Sequence, residues 1–436
     1  MWHITKIIPV SSFTFGDYSI DKKRSVVTFT YHVEFKFGFK KTFTDKLCLN
    51  DIAPAAWENI PEAVLTPTLQ SLLIMLGINY WSAFRTSNIK IEGFALTQDQ
   101  AHFWDSLYLN GLAEFFYVMK IDFRNLIKFP YDSSATALTP PPFSRPTRAL
   151  LLNGAGKDSI LSAEMLKKSH TPFDFFTFAP TPAHKRIASL VGAKNIDVTR
   201  RRDPLLNIIM VGSYPSVSTY TFIGALVAEL CGYDTIVTSN ERSADFGNLE
   251  YLGLQVNHQW CKSTKAEKMV NDYIHQYITP DIQTHSLLRE YSELEIVKRF
   301  VKYPQYLFDV TSCNTYFWLP PIQQKLMRTN YWCGRCPKCV FLFACFSAYI
   351  PKKKLVSMFG ANLYTKSYLV KHFKRILGIE GTKPLDCVGE PEEMILAMHL
   401  ASKRGEYTGD KAMKMFEDHF STSFDFVVLQ EKVFTK

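Results

Sequence analysis

What this sequence lacks excludes several classes of protein at once. No run reaches the roughly 18 consecutive apolar residues that a membrane-spanning helix needs. The first residues, Met1 to Val10, carry Lys6 but no sustained apolar stretch of the secretory kind. The expectation is a soluble, cytoplasmic protein with no membrane partner. The nine cysteines are odd in number and irregular in spacing, which argues against a disulfide scaffold. There is no internal repeat, so a solenoid is excluded. Basic residues outnumber acidic ones by 50 to 41, a formal net charge of +9, yet they gather only at Arg200–Arg202 and Lys352–Lys354. Such a spread suits a polyphosphate or nucleotide-sugar ligand as well as nucleic acid, and no nucleic-acid partner is expected.

What is present is enough apolar material, 47% of 436 residues, to bury more than one core. Val27 to Phe37 alternates strictly and predicts a strand of an antiparallel sheet. Leu69, Leu72, Leu73, Met75 and Leu76 have helical spacing, with Gly77 expected as the residue past the helix end. Thr97 and Gln100 form a capping-box pattern that opens a long helix through Phe116. From Pro130 to Pro146 the chain is rich in Ser, Thr and Pro, including Pro140–Pro142, and reads as a connector. Beyond it, strand candidates at Ala149–Leu152, Phe173–Phe178, Asn195–Val198 and Thr235–Thr238 alternate with helical stretches. The fold class is therefore α/β, a doubly wound parallel sheet, with an N-terminal α+β domain (1–128), a linker (129–147), an α/β domain (148–262) and a mainly helical C-terminal region (263–436).

Four stretches carry candidate chemistry. Asn153-Gly-Ala-Gly-Lys-Asp-Ser159 joins a buried strand to a helix, where backbone N–H groups and the positive end of the helix dipole converge on one spot. It is not a Walker A loop, which would need glycine at Leu151 and a hydroxyl at Asp158. Asn153, Gly154, Ala155, Gly156 and Ser159 are the expected phosphate contacts; Lys157 would neutralise phosphate charge and Asp158 would hold Mg²⁺. The polar loop Ser239–Asn248 follows a buried strand and offers Asn240, Glu241, Arg242 and Asp245 to the same rim. His258 and Lys262 sit just before a helix, where either could act as a base or hold an anion. The strongest local signal is Cys333-x-x-Cys336-x-x-Cys339, three thiolates on a compact knuckle that fit tetrahedral Zn²⁺ and need a fourth ligand. Cys345 would point to the other side of its helix from Cys339, so Cys313 is the better fourth ligand and the site would be closed and structural.

The 153–159 loop resembles the PP-loop of the ATP pyrophosphatase superfamily, Ser-Gly-Gly-x-Asp-Ser, with Gly154 in the serine place and Ala155 where a glycine is usual. Together with Leu76–Trp81, Leu107–Leu112, Ser239–Ala244, Gly247-Asn248, Val256–Gln259, Lys262-Ser263, Cys313-Asn314, the cysteine knuckle, Gly381–Pro384 and Asp386–Gly389, it resembles the UDP-N-acetylmuramoyl-L-alanyl-L-glutamate epimerase family, known as MurL. The cysteine arrangement is also similar to that of deazaguanine nitrile synthases, which supports Cys313. The resemblance implies epimerisation of the terminal L-Glu of UDP-MurNAc-L-Ala-L-Glu, with ATP and Mg²⁺ consumed to AMP and pyrophosphate for peptidoglycan assembly. His258, Lys262 and Glu241 are then the candidates to move the Cα proton. An AMP-forming amide or nitrile ligase acting on a carboxylated nucleobase would use the same loop and zinc site.

Overall fold

The computed structural model describes residues 9–137, 145–207, 214–326, 331–420 and 425–434. The Pro140–Pro142 part of the expected connector lies outside them. Strands β1 (Val10–Asp21), β2 (Val26–Phe35) and β3 (Lys40–Cys48) form an antiparallel meander. The short β4 (Ile89–Ile91) runs parallel to β1 at its outer edge. Strands β5 (Ala149–Leu152), β6 (Phe173–Phe178), β7 (Asn195–Arg202) and β8 (Thr235–Thr238) are parallel, three of them with the bounds that the apolar runs predict. Val27 and Val33 are buried and Phe37 is exposed, so the alternation read along β2 holds only as far as the pairing does.

These two groups of strands are one sheet. Asp45 to Cys48 of β3 pair antiparallel with Thr199 to Arg202 of β7, giving a continuous nine-stranded sheet. Its far edge lies beyond the α/β stretch as read from sequence. After the ribbon of β9 (Leu249–Tyr251) and β10 (Leu254–Val256), strand β11 (Gln283–Ser286) pairs parallel with β8. Its sequence, Gln-Thr-His-Ser, has no apolar run, so periodicity could not find it. The parallel part has the order β7-β6-β5-β8-β11, and the direction of winding reverses between β5 and β8. That reversal opens a crevice at the carboxyl ends of the two strands.

Helices cover both faces. Leu150, Phe176 and Ile236 face one core, shared with α1 (Glu62–Phe84), α2 (Gln98–Gly111), α3 (Ala113–Met119) and, further along, the helix Ser216–Cys231. Ala149, Leu151, Phe175 and Val237 face the other, covered by α4 (Lys157–Lys168), α5 (Pro182–Val191) and the C-terminal helices. Neighbouring residues of a strand thus enter different cores, which is why these strands read as unbroken apolar runs. We call Ser216–Cys231 α6, Thr264–Tyr277 α7, Glu293–Phe300 α8, Pro337–Ser347 α9 and Pro391–Lys403 α10.

Two helical expectations need correction. The helix expected to end at Gly77 continues to Phe84 and stops at Arg85 in left-handed geometry. Gly77 lies where α1 crosses the sheet; a Cβ there would sit 2.4 Å from Phe15 and 2.8 Å from Tyr31, so the glycine marks a close approach and not a stop. The helix opened by Thr97 breaks at Leu112 into α2 and α3, although the capping box forms in both directions. By length and composition α1 could cross a membrane, but it is packed inside the fold against the sheet and α6.

Candidate active site

The turn between β5 and α4 is held by its own first residue. The Ala155 N–H donates to Asn153 Oδ1 at 3.0 Å, and the Asn153 amide donates to Asn195 Oδ1 and the His184 carbonyl, both at 3.2 Å. Ala155 has φ +53, the left-handed conformation that favours glycine, and its methyl is fully buried. Alanine thus holds a left-handed turn at this place. Gly156 caps α4, the Ser159 hydroxyl donates to the Gly156 carbonyl at 3.2 Å, and the first turn of the 12-residue helix opens on the crevice.

That crevice is a cavity of about 800 Å³. Asn153, Gly154, Gly156, Asp158 and Ser159 line it from the loop, and Asn240 and Lys262 from the far side of the reversal point. Asn240 is held by hydrogen bonds from its amide to Thr238 Oγ1 at 3.0 Å and Glu267 Oε2 at 3.1 Å. Phe178 and Tyr220, whose ring centres are 5.1 Å apart, form part of an aromatic wall.

Lys157, Ala155, Glu241 and His258 do not line the cavity. The Lys157 ammonium is buried and ion-paired with Glu293 of α8 and with Asp158. Burial lowers its pKa, but the two carboxylates more than offset this and hold it charged. Glu293 also accepts from Lys338 Nζ at 2.7 Å, and its backbone N–H donates to Glu393 Oε1 at 2.7 Å. Burial would raise the Glu293 pKa, but the two lysines hold it far below the carboxylate range. Behind it, burial pushes Glu393 up to about 7, with Glu293 adding to the effect and the Ser243 hydroxyl opposing it. Glu241 is buried, with its Oε1 3.7 Å from Lys262 Nζ. His258 Nδ1 contacts Glu114 Oε2 at 2.6 Å.

Cys313, Cys333, Cys336 and Cys339 come together, with all four Sγ atoms within 4.8 Å of one another, while Cys345 is buried in α9 as a separate thiol. Backbone N–H groups of Arg335 and Cys336 donate to Cys333 Sγ, and that of Cys339 to Cys336 Sγ, each at 3.4 Å. Four soft donors stiffened by N–H···S bonds are a set that could hold a metal ion. The cluster also forms the back of the cavity wall: Ser312 and Asn314 flank Cys313, Lys338 precedes Cys339, and all three line the cavity.

Residues that the sequence did not single out complete the site. His184, Arg202, Tyr214, Lys338 and Cys387 line the cavity from five different segments, which no local motif joins. Burial depresses the His184 pKa to about 4, so its ring is neutral at physiological pH. His184 could have been suspected from Thr181 and Pro182, since it occupies the third helical position of a capping box. Cys387 lies in the Asp386–Gly389 stretch but in sequence is only one of nine thiols.

Fold and site together define an α/β enzyme whose cavity, of mixed polar and aromatic lining, sits where the winding of its sheet reverses, backed by a four-thiol centre. Residues 5–287 match the model of the MurL N-terminal domain and residues 309–426 that of the MurL C-terminal domain. The chain belongs to the MurL family. The first match ends one residue after β11. A protein of Xanthomonas oryzae pv. oryzae named UDP-N-acetyl-alpha-D-muramoyl-L-alanyl-L-glutamate epimerase is 30% identical over 412 residues, 93% of this chain and 89% of that one. A Micromonospora protein of the same name is 28% identical over 418 residues, 94% of this chain and 91% of its own length.

Proposed function

We propose that this chain epimerises the terminal L-Glu of UDP-MurNAc-L-Ala-L-Glu to D-Glu, through an acyl-adenylate, in peptidoglycan biosynthesis. The carrying observation is the single cavity that places the 153–159 loop opposite Lys262, in a family whose similar members bear that epimerase name. An α-proton beside a free carboxylate is very weakly acidic, because its removal sets a second negative charge against the first. Attack of that carboxylate on the α-phosphorus of ATP expels pyrophosphate and leaves a mixed anhydride, whose carbonyl can accept the electron pair from Cα. Reprotonation on the opposite face and hydrolysis then give D-Glu and AMP.

In this reading the fold of the α/β part is PP-loop ATP pyrophosphatase-like. The N–H groups of Gly154, Gly156, Asp158 and Ser159 bind phosphate, and Asn240 lies on the opposite wall. Asp158 would hold Mg²⁺, which would screen the phosphate charge. Lys157 acts from behind the loop, where its ammonium is ion-paired with Asp158. The four cysteines would hold a structural Zn²⁺ that fixes the wall carrying Ser312, Asn314 and Lys338. Thiolates kept for a metal need a reducing compartment, which supports the cytoplasm.

Incubation with UDP-MurNAc-L-Ala-L-Glu, ATP and Mg²⁺ in D₂O tests the reading. The expected result is pyrophosphate release with deuterium at the glutamyl Cα. Pyrophosphate release without deuterium would leave the AMP-forming ligase instead. The same preparation should contain close to one equivalent of zinc by elemental analysis, and Cys313→Ser should lower that content.

A further inference from the structure

Cys387 stands in a setting that a structural thiol does not need. It is partly exposed on the cavity wall and is hydrogen-bonded to His258. His258 is held in turn by Glu114, whose Oε2 lies 2.6 Å from Nδ1. A thiol, an imidazole and a carboxylate in series are the arrangement that activates a cysteine.

The two loops that meet here are tied on both sides of the contact. The Asn248 amide donates to the Pro384 carbonyl at 2.8 Å while Asn248 Oδ1 accepts from the His258 N–H at 2.8 Å. The Gln259 amide donates to the Val388 carbonyl at 3.1 Å. The Cys387 N–H donates to Asp386 Oδ1 at 2.8 Å, and Asn314 donates to that same oxygen at 2.5 Å. The thiol therefore has a fixed place, with Lys262 on the same wall.

We propose that Cys387 is the proton-transfer residue at the glutamyl Cα, with His258 and Glu114 as its positioning residues and solvent as the donor to the opposite face. This rests on the adenylating reading, because it is the activated carbonyl that accepts the electron pair from Cα. As the Cα–H bond breaks, the Cys387 thiolate takes the proton to form S–H, and the bonding pair moves onto the oxygen of the activated carbonyl. Solvent then gives a proton to the other face and the carbonyl re-forms. Solvent also takes the thiol proton, which restores the starting state.

The charges around the thiol fit this role. Burial raises the pKa of Cys387, but Lys262 and His258, with Lys338 from α9, more than offset this and bring it below the usual thiol value. Asp386 and Lys383 of its own loop and Cys261 complete the titratable surroundings. Of the other titratable groups of the wall, Asp158 is ion-paired with Lys157 and is the proposed Mg²⁺ ligand, and His184 accepts from the Thr181 N–H.

Cys387→Ala, assayed as the full chain with its metal, is expected to release pyrophosphate with substrate while deuterium entry at Cα falls roughly 10²- to 10⁴-fold. Deuterium entry at the wild-type rate in that variant would overturn the proposal. Wild-type protein that takes up deuterium without releasing pyrophosphate would instead sink the adenylating reading. Should the alanine variant lose both signals, alkylation of the folded wild-type protein decides. Iodoacetamide should label Cys387, as located by peptide mass mapping, with protection by substrate and ATP and slower labelling in His258→Gln. A Cys387 that is unreactive, unprotected, or indifferent to His258→Gln would refute the role.

Discussion

Two buried carboxylates show how the same side chain reaches opposite states within one fold. Glu293 has two lysines and stays ionised, whereas Glu229 of α6 has one hydrogen bond, from Thr68 Oγ1 at 2.8 Å, and burial pushes its pKa up to about 8, with Thr68 and Arg145 opposing. The ordinary value is 4.5. Below that, both the folded and the unfolded chain hold the proton and the group adds no pH dependence. Above it, the unfolded chain releases a proton that the fold retains, so stability falls as pH rises toward about 8. Glu229→Gln cannot ionise and should lose that slope. In urea denaturation the wild type should weaken more than Glu229→Gln between pH 5 and pH 8, by up to a few kcal/mol. Subtracting the variant isolates Glu229 from Glu393, whose raised pKa acts with the same sign. Equal slopes in the two proteins would mean that Glu229 is ionised in the fold.

At the scale of elements, α1 shows a glycine retained against its own helix propensity. Ala at position 77 would gain about 1 kcal/mol of propensity, but its methyl would have to displace Phe15 and Tyr31, two buried rings 6.2 Å apart that pack edge to face. Overpacking of this kind costs about 1–3 kcal/mol, so Gly77→Ala should be net destabilising and lower the urea midpoint with the slope unchanged. A raised midpoint would show that α1 can lift from the sheet at little cost. The same helix marks the limit of what was legible. Periodicity located α1 and Gly77, but could not tell a terminal glycine from one beneath a crossing, because that depends on Phe15 and Tyr31, far earlier in the chain. The buried strands were readable because both faces are apolar, and β11 was not because it is a short, polar edge. The phosphate-type loop and the cysteine knuckle were readable because each is local. Cys387, His184 and Arg202 reach the cavity only through tertiary folding.

For the whole molecule, the seam between β3 and β7 decides whether the antiparallel and parallel halves behave as one unit. The side chain of Arg200 is enclosed there. Its guanidinium binds Asp45 at 2.5 and 2.8 Å, Asn79 Oδ1 at 2.7 Å and the Leu76 carbonyl at 2.8 Å, so one side chain ties β7, β3 and α1 together. Burial lowers its pKa, but Asp45 more than offsets this and keeps the charge in place. Asp45→Asn removes the counter-charge and leaves the guanidinium enclosed, a change that costs about 3–5 kcal/mol when a buried pair is broken from one side. Because one apolar core runs from Phe13 through Leu150 to Ile282, that loss should not melt the meander alone. It should lower a single transition, with tryptophan fluorescence, which includes Trp57, Trp81 and Trp104 of the N-terminal half, and far-UV circular dichroism moving together. Two separated transitions, with the fluorescence change first, would show instead that the N-terminal strands and α1 fold as a unit of their own and that the seam is a docking surface between two domains.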